Sequence, residues 1–549
     1  MQHRTVSARR RRFAVLTAGI VLAGSATVAL SASGQAATAK ALPQIPSIGD
    51  VVPAPVSVTS AKTPYKVTAT TVIFAQSGSS AASAVAGQLG TELRRTTGFP
   101  LPVVTSAIRR GPLADSGIAF LLNGPASLGP EGYTLTVNGS GVTVAANQAE
   151  GLFDGLQSLR QLLPAAADGA TKQSGPWTVP GGTISDHPRY TYRGAMLDVS
   201  RHFFPVSVVE RYIDEISLYK INYLHLHLSD DQGWRIAING WPNLTTVGGS
   251  TEVGGGAGGY YTQADYKAIV AYAQSHYVTI VPEIDGPGHT NAALASYAQL
   301  NCNGVAPPLY TGTDVGFSSF CVSKPITYSF LDNVIQQLAQ LTPGPYIHVG
   351  GDEAQSTSAA DYQTFESQEL PIVSKYGKAA MGWHDITAVD PPTSVVAEFW
   401  GTDTTDPNTA AAAARGNKVV MAPANKAYMD MKYTTNTKLG QNWAAYIEEK
   451  DAYNWDPGNY LQGVSGSSVL GVEAPLWSET LVTMANIEYM AFPRLPALAE
   501  LGWSPESTHN WTSFANRLAQ QGPRWTAMGM NFYASPQVKW AAGTKGGTD

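Results

Sequence analysis

From about residue 188 onward, short apolar runs alternate with longer segments whose apolar residues recur every three or four positions. A short apolar run is typical of a strand buried on both faces, and the longer repeat is typical of an amphipathic helix. The pattern predicts eight strands, at residues 193–198, 223–228, 279–284, 346–349, 379–383, 394–400, 418–422 and 471–475.

Two of the helices between these strands are well marked. Val209 and Ile213 belong to one apolar stripe that begins after Pro205, and a second helix begins at Thr262 with Asp265 in capping position. Strict strand–helix alternation favours a parallel sheet, and eight strands are the number that closes a (β/α)8 TIM barrel. The alternative is an open doubly wound sheet, but no glycine-rich phosphate-binding fingerprint follows the first strand.

The region before the barrel mixes short β-like runs with one clear helix. A hairpin is predicted around residues 138–141, and leucines at helical spacing stop at Pro164. We predict a small α+β domain with a supporting role. The predicted organisation is an export signal at 1–39, this α+β domain at 40–185, a catalytic barrel at 186–505, and a C-terminal helical segment and tail at 506–549.

The N-terminus has the three-part form of an export signal: arginines at 9–12, an apolar run at 14–30 and small residues up to Ala39. We therefore expect a secreted, extracellular protein with no membrane contact after signal removal. The arginines before Phe13 resemble a twin-arginine signal, and a general secretory signal or a single membrane anchor are the alternatives.

The amino-acid composition limits the classes of function that this chain can have. Charged residues make up 14% of the chain and the formal net charge is −6, which argues against a nucleic-acid binder. The twelve tryptophans supply flat apolar faces of the kind that sugar sites use. The two cysteines, Cys302 and Cys321, are expected to form a disulfide in an exported chain.

Acidic and aromatic residues stand just past the predicted strands, where barrel enzymes keep their chemistry. Such a collection describes a pocket for a polar, ring-shaped ligand. These residues are Asp198, Asp230, Asp231, Asp285, His289, Asp352, Glu353, Trp383, His384, Trp400, Tyr428, Asp430, Trp477 and Glu479.

Two histidines on the second strand allow a different interpretation. His225 and His227 share one face of that strand, which is how a metal hydrolase site begins. His289, His348 and Asp352 could complete it, although no single late Asp follows the last strand. The alternative is that both histidines are hydrogen-bonded inside the barrel, and we expect no metal.

The adjacent acids Asp352 and Glu353 fit poorly with ordinary glycoside hydrolysis. That chemistry sets two carboxyls about 5 Å or more apart on opposite sides of the scissile bond, and side chains of neighbouring strand residues diverge. Neighbouring acids suit a scheme in which one protonates the leaving oxygen and the other steadies a nucleophile supplied by the substrate.

Five separated motifs follow one another along the chain: HLHLSDDQGW at 225–234, PEIDGPGH at 282–289, HVGGDEA at 348–354, MGWH at 381–384 and PLWSE at 475–479. In this order they resemble the signatures of family 20 β-N-acetylhexosaminidases. The similarity extends over residues 45–510 and includes GPEGY at 129–133 in the small domain. One departure is Gln355, where the family commonly has His.

The resemblance implies substrate-assisted retention without a cofactor. Glu353 would be the general acid and base, Asp352 would orient the 2-acetamido group, and Tyr428 would donate to its carbonyl. His289 with Asp230 would support Glu353. The expected sugar-binding residues are Arg193, Trp383, Trp400, Asp430, Trp443, Trp477 and Glu479.

The sequence therefore predicts an exo-acting β-N-acetylhexosaminidase that removes terminal N-acetylglucosamine or N-acetylgalactosamine from oligosaccharides such as chitin fragments. The alternatives are a disaccharide-releasing enzyme resembling a lacto-N-biosidase and an inactive carbohydrate-binding protein. The sequence leaves the preference for either sugar, the linkage and the oligomeric state open.

Overall fold

The computed structural model describes residues 47–106 and 117–549. The predicted export signal at 1–39 lies outside the described residues. Within them, no helix combines the length and the apolar character needed to cross a bilayer.

The described part of the N-terminal domain, residues 47–106 and 117–186, contains nine strands and two long helices. The strands are β1 (Ser57–Ser60), β2 (Tyr65–Lys66), β3 (Val72–Gln76), β4 (Val103–Ser106), β5 (Gly117–Leu121), β6 (Tyr133–Asn138), β7 (Gly141–Ala146), β8 (Thr178–Val179) and β9 (Gly182–Asp186). Seven of them form a mixed sheet in the order β1-β9-β6-β7-β5-β3-β4, and β2 pairs with β8. The helices α1 (Ser80–Thr97) and α2 (Ala149–Leu162) pack against this sheet. The predicted α+β domain is confirmed.

Local predictions in this domain are borne out with one omission. The hairpin pairs Asn138 with Gly141, and α2 ends at Leu162, just before Pro164. Helix α1 was not predicted. Only Val85, Leu89 and Leu93 of its eight buried residues are large and apolar, so its apolar periodicity is weak in the sequence.

Eight parallel strands close into the predicted barrel. Every predicted strand is present, with ends within two residues of those predicted. The strands are β10 (Tyr192–Asp198), β11 (Tyr223–His227), β12 (Thr279–Gly286), β13 (Tyr346–Gly350), β14 (Ala379–Trp383), β15 (Val396–Phe399), β16 (Lys418–Met421) and β17 (Val469–Ala474).

Helices surround the barrel and bury their apolar faces against it. They are α3 (Val206–Ser217), α4 (Asn243–Thr246), α5 (Gln263–Ser275), α6 (Asn291–Ser296), α7 (Pro325–Leu341), α8 (Ala359–Lys375), α9 (Pro407–Arg415), α10 (Ala424–Ala427), α11 (Glu449–Tyr453), α12 (Met484–Ala491), α13 (Arg494–Trp503), α14 (Trp511–Ala519) and α15 (Gly522–Met528). Helix α3 follows Pro205, and the predicted capping box of Thr262 and Asp265 starts α5.

Two further features connect the parts of the chain. Trp503 of α13 packs into the core of the N-terminal domain, and Phe514 and Trp525 of the C-terminal helices pack into the core of the barrel. The predicted disulfide joins Cys302 to Cys321 in the long loop after β12. That loop reaches the mouth of the barrel.

Candidate active site

The loops at the C-terminal ends of the barrel strands surround an open pocket of about 330 Å³. Loops after the first, third, fourth, sixth, seventh and eighth strands contribute to its wall. The lining residues are Arg201, Thr313, Val315, Asp352, Glu353, Trp400, Tyr428, Asp430, Gln441, Trp443, Trp477 and Glu479. Acids and aromatic rings thus face one another across a space suited to a small polar ligand.

The two adjacent acids enter the pocket through an unusual turn. Gly350 and Gly351 have φ values of +73° and +99°, and a Cβ added at Gly350 would lie 1.7 Å from Oδ1 of Asp285. Glu353 has a φ of +46°, in a left-handed region that costs a residue with a side chain about 1 kcal/mol or more. Because neither acid lies in the strand, Asp352 and Glu353 line the same pocket instead of pointing to opposite faces.

A histidine and a further acid stand behind this pair. His289 Nε2 lies 3.4 Å from Oε2 of Glu353 and 3.7 Å from Oδ2 of Asp352. His289 Nδ1 lies 3.3 Å from Oδ1 of Asp230, whose Oδ2 accepts from His227 at 2.7 Å. Burial alone would lower the pKa of His289, but the carboxylates of Asp230 and Asp352 raise it well above its usual range. An imidazolium therefore faces Glu353.

Asp352 occupies the more enclosed position of the pair. Its side chain is 12% exposed against 29% for Glu353. Burial raises the pKa of Asp352 to about 7, with His289 opposing the rise and Glu353 adding to it. Its Oδ1 atom is buried and has no hydrogen-bond partner in the described structure. This oxygen is available to a ligand.

Aromatic rings form one side of the pocket. The ring centre of Trp443 lies 6.0 Å from those of Trp400 and Tyr428, and the ring of Tyr428 lies 6.3 Å from that of Trp477. Trp400 Nε1 donates to Asp385 at 2.9 Å, which fixes the angle of this ring. Trp443 is 56% exposed and stands at the outer rim. The inner three rings provide a nearly apolar wall.

The pocket also contains acids with free acceptor atoms. Oδ1 of Asp430 and Oε2 of Glu479 are buried and lack hydrogen-bond partners among the described residues. Burial, followed by the negative charge of Glu479, raises the pKa of Asp430 well above its usual range. Unsatisfied buried acceptors are costly, so these atoms are suited to hydroxyl donors from a ligand.

Family models match almost the whole of the described chain. Residues 190–506 match the catalytic domain of glycosyl hydrolase family 20, and residues 49–187 match domain 2 of the same family. The chain belongs to glycosyl hydrolase family 20.

Named relatives within family 20 are similar over most of their length. A beta-N-acetylhexosaminidase of Cellulomonas fimi is 38% identical, over 89% of this chain and 97% of that protein. The GH20 beta-N-acetylhexosaminidase of Streptomyces coelicolor A3(2) is 54% identical with a TM-score of 0.87, over 90% and 99% of the two chains. A mutant Streptomyces plicatus beta-hexosaminidase in complex with the product GlcNAc is 54% identical with a TM-score of 0.88, over 91% and 100%.

The arginine of this family 20 pocket is Arg201, and the prediction of Arg193 is wrong. Arg193 begins β10 at the opposite end of the barrel, where it is fully buried and pairs with Glu131 of the N-terminal domain. Arg201 pairs with Asp230 at 2.8 Å and lies over the ring of Trp477 at 4.7 Å. Its position three residues after Asp198, at the C-terminal end of the first strand, was the available signal.

Trp383 is fully buried beside Trp477, with 5.6 Å between the ring centres. It is not among the residues that line the open part of the pocket. Its Nε1 donates to Oε1 of Glu283 at 3.0 Å. Its role as a sugar-binding residue stays a prediction.

The histidines of β11 have carboxylate neighbours. His225 lies 2.8 Å from Glu473 and 3.0 Å from Glu283, and His227 lies between Glu283 and Asp230. Both histidines are therefore hydrogen-bonded inside the barrel. His225, His348 and Glu398 also come close enough to share an ion, but they are enclosed within the barrel below the pocket.

Proposed function

We propose that this family 20 enzyme is an exo-acting, retaining β-N-acetylhexosaminidase that uses the 2-acetamido group of its substrate as the nucleophile. The observation that carries the proposal is the placement of Asp352 and Glu353 as neighbours in one pocket with an aromatic wall. A protein nucleophile would need a second carboxyl across the scissile bond from the acid. An acetamido oxygen already held in the pocket needs only orientation, since its translational freedom is lost on binding.

The two acids take different roles in this proposal. Glu353 protonates the leaving oxygen and later activates water, and the imidazolium of His289 stabilises the carboxylate left by proton donation. Asp352 accepts from the acetamido N–H through its free oxygen and offsets the positive charge of the oxazolinium intermediate. Tyr428 donates to the acetamido carbonyl, and Asp230 holds His289.

The remaining pocket residues bind the sugar itself. Trp400 and Tyr428 would enclose the acetamido methyl together with Trp477 and the neighbouring Trp383. Arg201, Asp430 and Glu479 would bind ring hydroxyls, and Trp443 would stack on the next sugar of the substrate. Closure around one ring favours release of single residues over release of disaccharides.

The relatives support this assignment of substrate. Two carry the name beta-N-acetylhexosaminidase, and the Streptomyces plicatus enzyme was solved with GlcNAc as product. We extend the proposal to oligosaccharides with terminal β-linked N-acetylhexosamine, such as chitin fragments. We also propose export to the extracellular medium, on the basis of the N-terminal sequence alone.

Hydrolysis of an aryl β-N-acetylglucosaminide and of the matching β-glucoside tests the proposal. We expect cleavage of the first only, and inhibition by a thiazoline that mimics the cyclised acetamido group. Equal cleavage of both substrates, or no inhibition, would argue for a protein nucleophile. Release of disaccharides from a defined N-acetylated oligosaccharide would favour the lacto-N-biosidase-like alternative.

A further inference from the structure

A third carboxyl lies directly beneath the two acids of the pocket. Asp285 is 2% exposed at the end of β12, and its Oδ1 accepts from the backbone N–H of Gly351 at 3.3 Å. The same oxygen occupies the space that a side chain at Gly350 would need. Asp285 therefore contacts the turn that carries Asp352 and Glu353 into the pocket. The mechanism proposed above gives it no role.

Asp285 lies close enough to Asp352 for a negative charge on one carboxyl to disfavour a negative charge on the other. One carboxyl oxygen of each residue and a ring nitrogen of His289 all lie within 4.8 Å of one another. Two carboxyls that share a buried site ionise one at a time, because the second negative charge is repelled by the first. The charged and titratable groups that face Asp285 are Asp352, His289, Glu283, Asp230 and, through the turn, Tyr362 of α8.

We propose that Asp285 is a positioning residue that remains a neutral carboxylic acid, so that the single negative charge of the pair resides on Asp352. This inference rests on the proposed function, in which Asp352 must be ionised to accept from the acetamido N–H. In the neutral form, Asp285 still accepts from Gly351 and holds the turn. It does so without repelling the carboxylate above it.

Burial decides which of the two acids keeps the proton. Asp285 is the less exposed, and burial followed by the charge of Asp352 raises its pKa well above the usual range. Asp352 has a pKa of about 7 and lies 3.7 Å from the ring nitrogen of His289. Asp352 therefore loses its proton first as the pH rises.

The same isosteric substitution at the two acids tests the proposal. Asn mimics a neutral carboxylic acid and keeps the acceptor for Gly351. We expect Asp285→Asn to keep kcat within about tenfold of wild type, whereas Asp352→Asn should lose about a hundredfold or more. Asp285→Ala removes the acceptor and should lower kcat about tenfold to a hundredfold with little change in KM.

The pH dependence of kcat/KM distinguishes this role from a purely structural one, because a purely structural residue would not set the position of the acidic limb. If Asp285 is neutral, Asp285→Asn should leave this limb in place. If Asp285 were ionised, the substitution would remove a negative charge beside Asp352 and move the limb about one pH unit or more toward acid. That shift, or a loss of kcat equal to that of Asp352→Asn, would overturn the proposal.

Infrared difference spectra of wild type against Asp285→Asn give a test independent of activity. We expect a protonated carboxyl band at neutral pH that the variant lacks. Absence of the band would overturn the proposal, as would failure of the isosteric variant to fold. If wild type did not cleave the aryl β-N-acetylglucosaminide, the proposed function would fail, yet the infrared band would still report the protonation of Asp285.

Discussion

Two of the buried arginines, Arg201 and Arg193, allow the position of the sugar site to be tested with one pair of variants. Each guanidinium is paired with an acid, Asp230 for Arg201 and Glu131 for Arg193. Only Arg201 reaches the pocket. We therefore compare Arg201→Gln with Arg193→Gln, which are matched in burial and chemistry but lie at opposite ends of the barrel.

The expected magnitudes follow from these contacts. Removing one partner of a buried ion pair costs about 3–5 kcal/mol of folding stability, so both variants should unfold at lower temperature. A hydrogen bond from a charged group to a sugar hydroxyl contributes about 1.5–3 kcal/mol, which corresponds to roughly a tenfold to 150-fold loss of kcat/KM. That loss should occur in Arg201→Gln alone.

The assay measures thermal unfolding and kcat/KM on an aryl β-N-acetylglucosaminide for both variants, at a temperature where both remain folded. A similar loss of kcat/KM in Arg193→Gln would show that the arginines act through stability and not through sugar contact. Wild-type kcat/KM in Arg201→Gln would remove this residue from the sugar site.

Three further predictions concern other parts of the site. Glu353→Gln should slow substrates with poor leaving groups far more than activated aryl glycosides, because only the former need a proton; equal losses on both would count against its acid role. Asp385→Ala should raise KM by freeing the ring of Trp400, and Asp385→Asn should restore it by keeping an acceptor for Nε1; a KM in Asp385→Ala equal to that of wild type would contradict this. Burial lowers the pKa of His227, but Glu283 and Asp230 outweigh it and raise the pKa from 6.5 to about 9. The charged imidazole therefore contributes fully to folding stability below pH 6.5. About 3 kcal/mol of this stability is lost as the pH rises through 9. Urea unfolding across this range should therefore show a steeper decline for wild type than for His227→Gln, and identical slopes would refute the assignment.

The barrel was predictable because its strands are short apolar runs with helices between them. This pattern can be recognised in the sequence without knowing which residues are in contact. Helix α1 was not predicted because most of its buried residues are small. The other differences between the predicted and the observed structure result from packing between residues that are far apart in the sequence. The left-handed turn at Gly350 and Gly351 exists because Asp285, far away in sequence, occupies the space beside it. No local pattern predicts that approach.

Errors at the site have a similar origin. Arg193 lies at the start of β10 and Arg201 three residues after its end, and only the direction of the strand decides which one meets the pocket. Residues that follow a strand, such as Asp352, Asp430 and Glu479, were placed correctly on this basis. Trp383 is the last residue of β14, and the sequence does not reveal how deep in the barrel its ring lies.

The left-handed backbone at Glu353 and at His289, with φ values of +46° and +54°, has a consequence for engineering. Both positions would relax if they became glycine or asparagine, so a search guided by thermostability alone would select replacements at the proton donor and at the histidine that faces it. Substitutions that stabilise this enzyme should be made away from the active site, with these two residues unchanged.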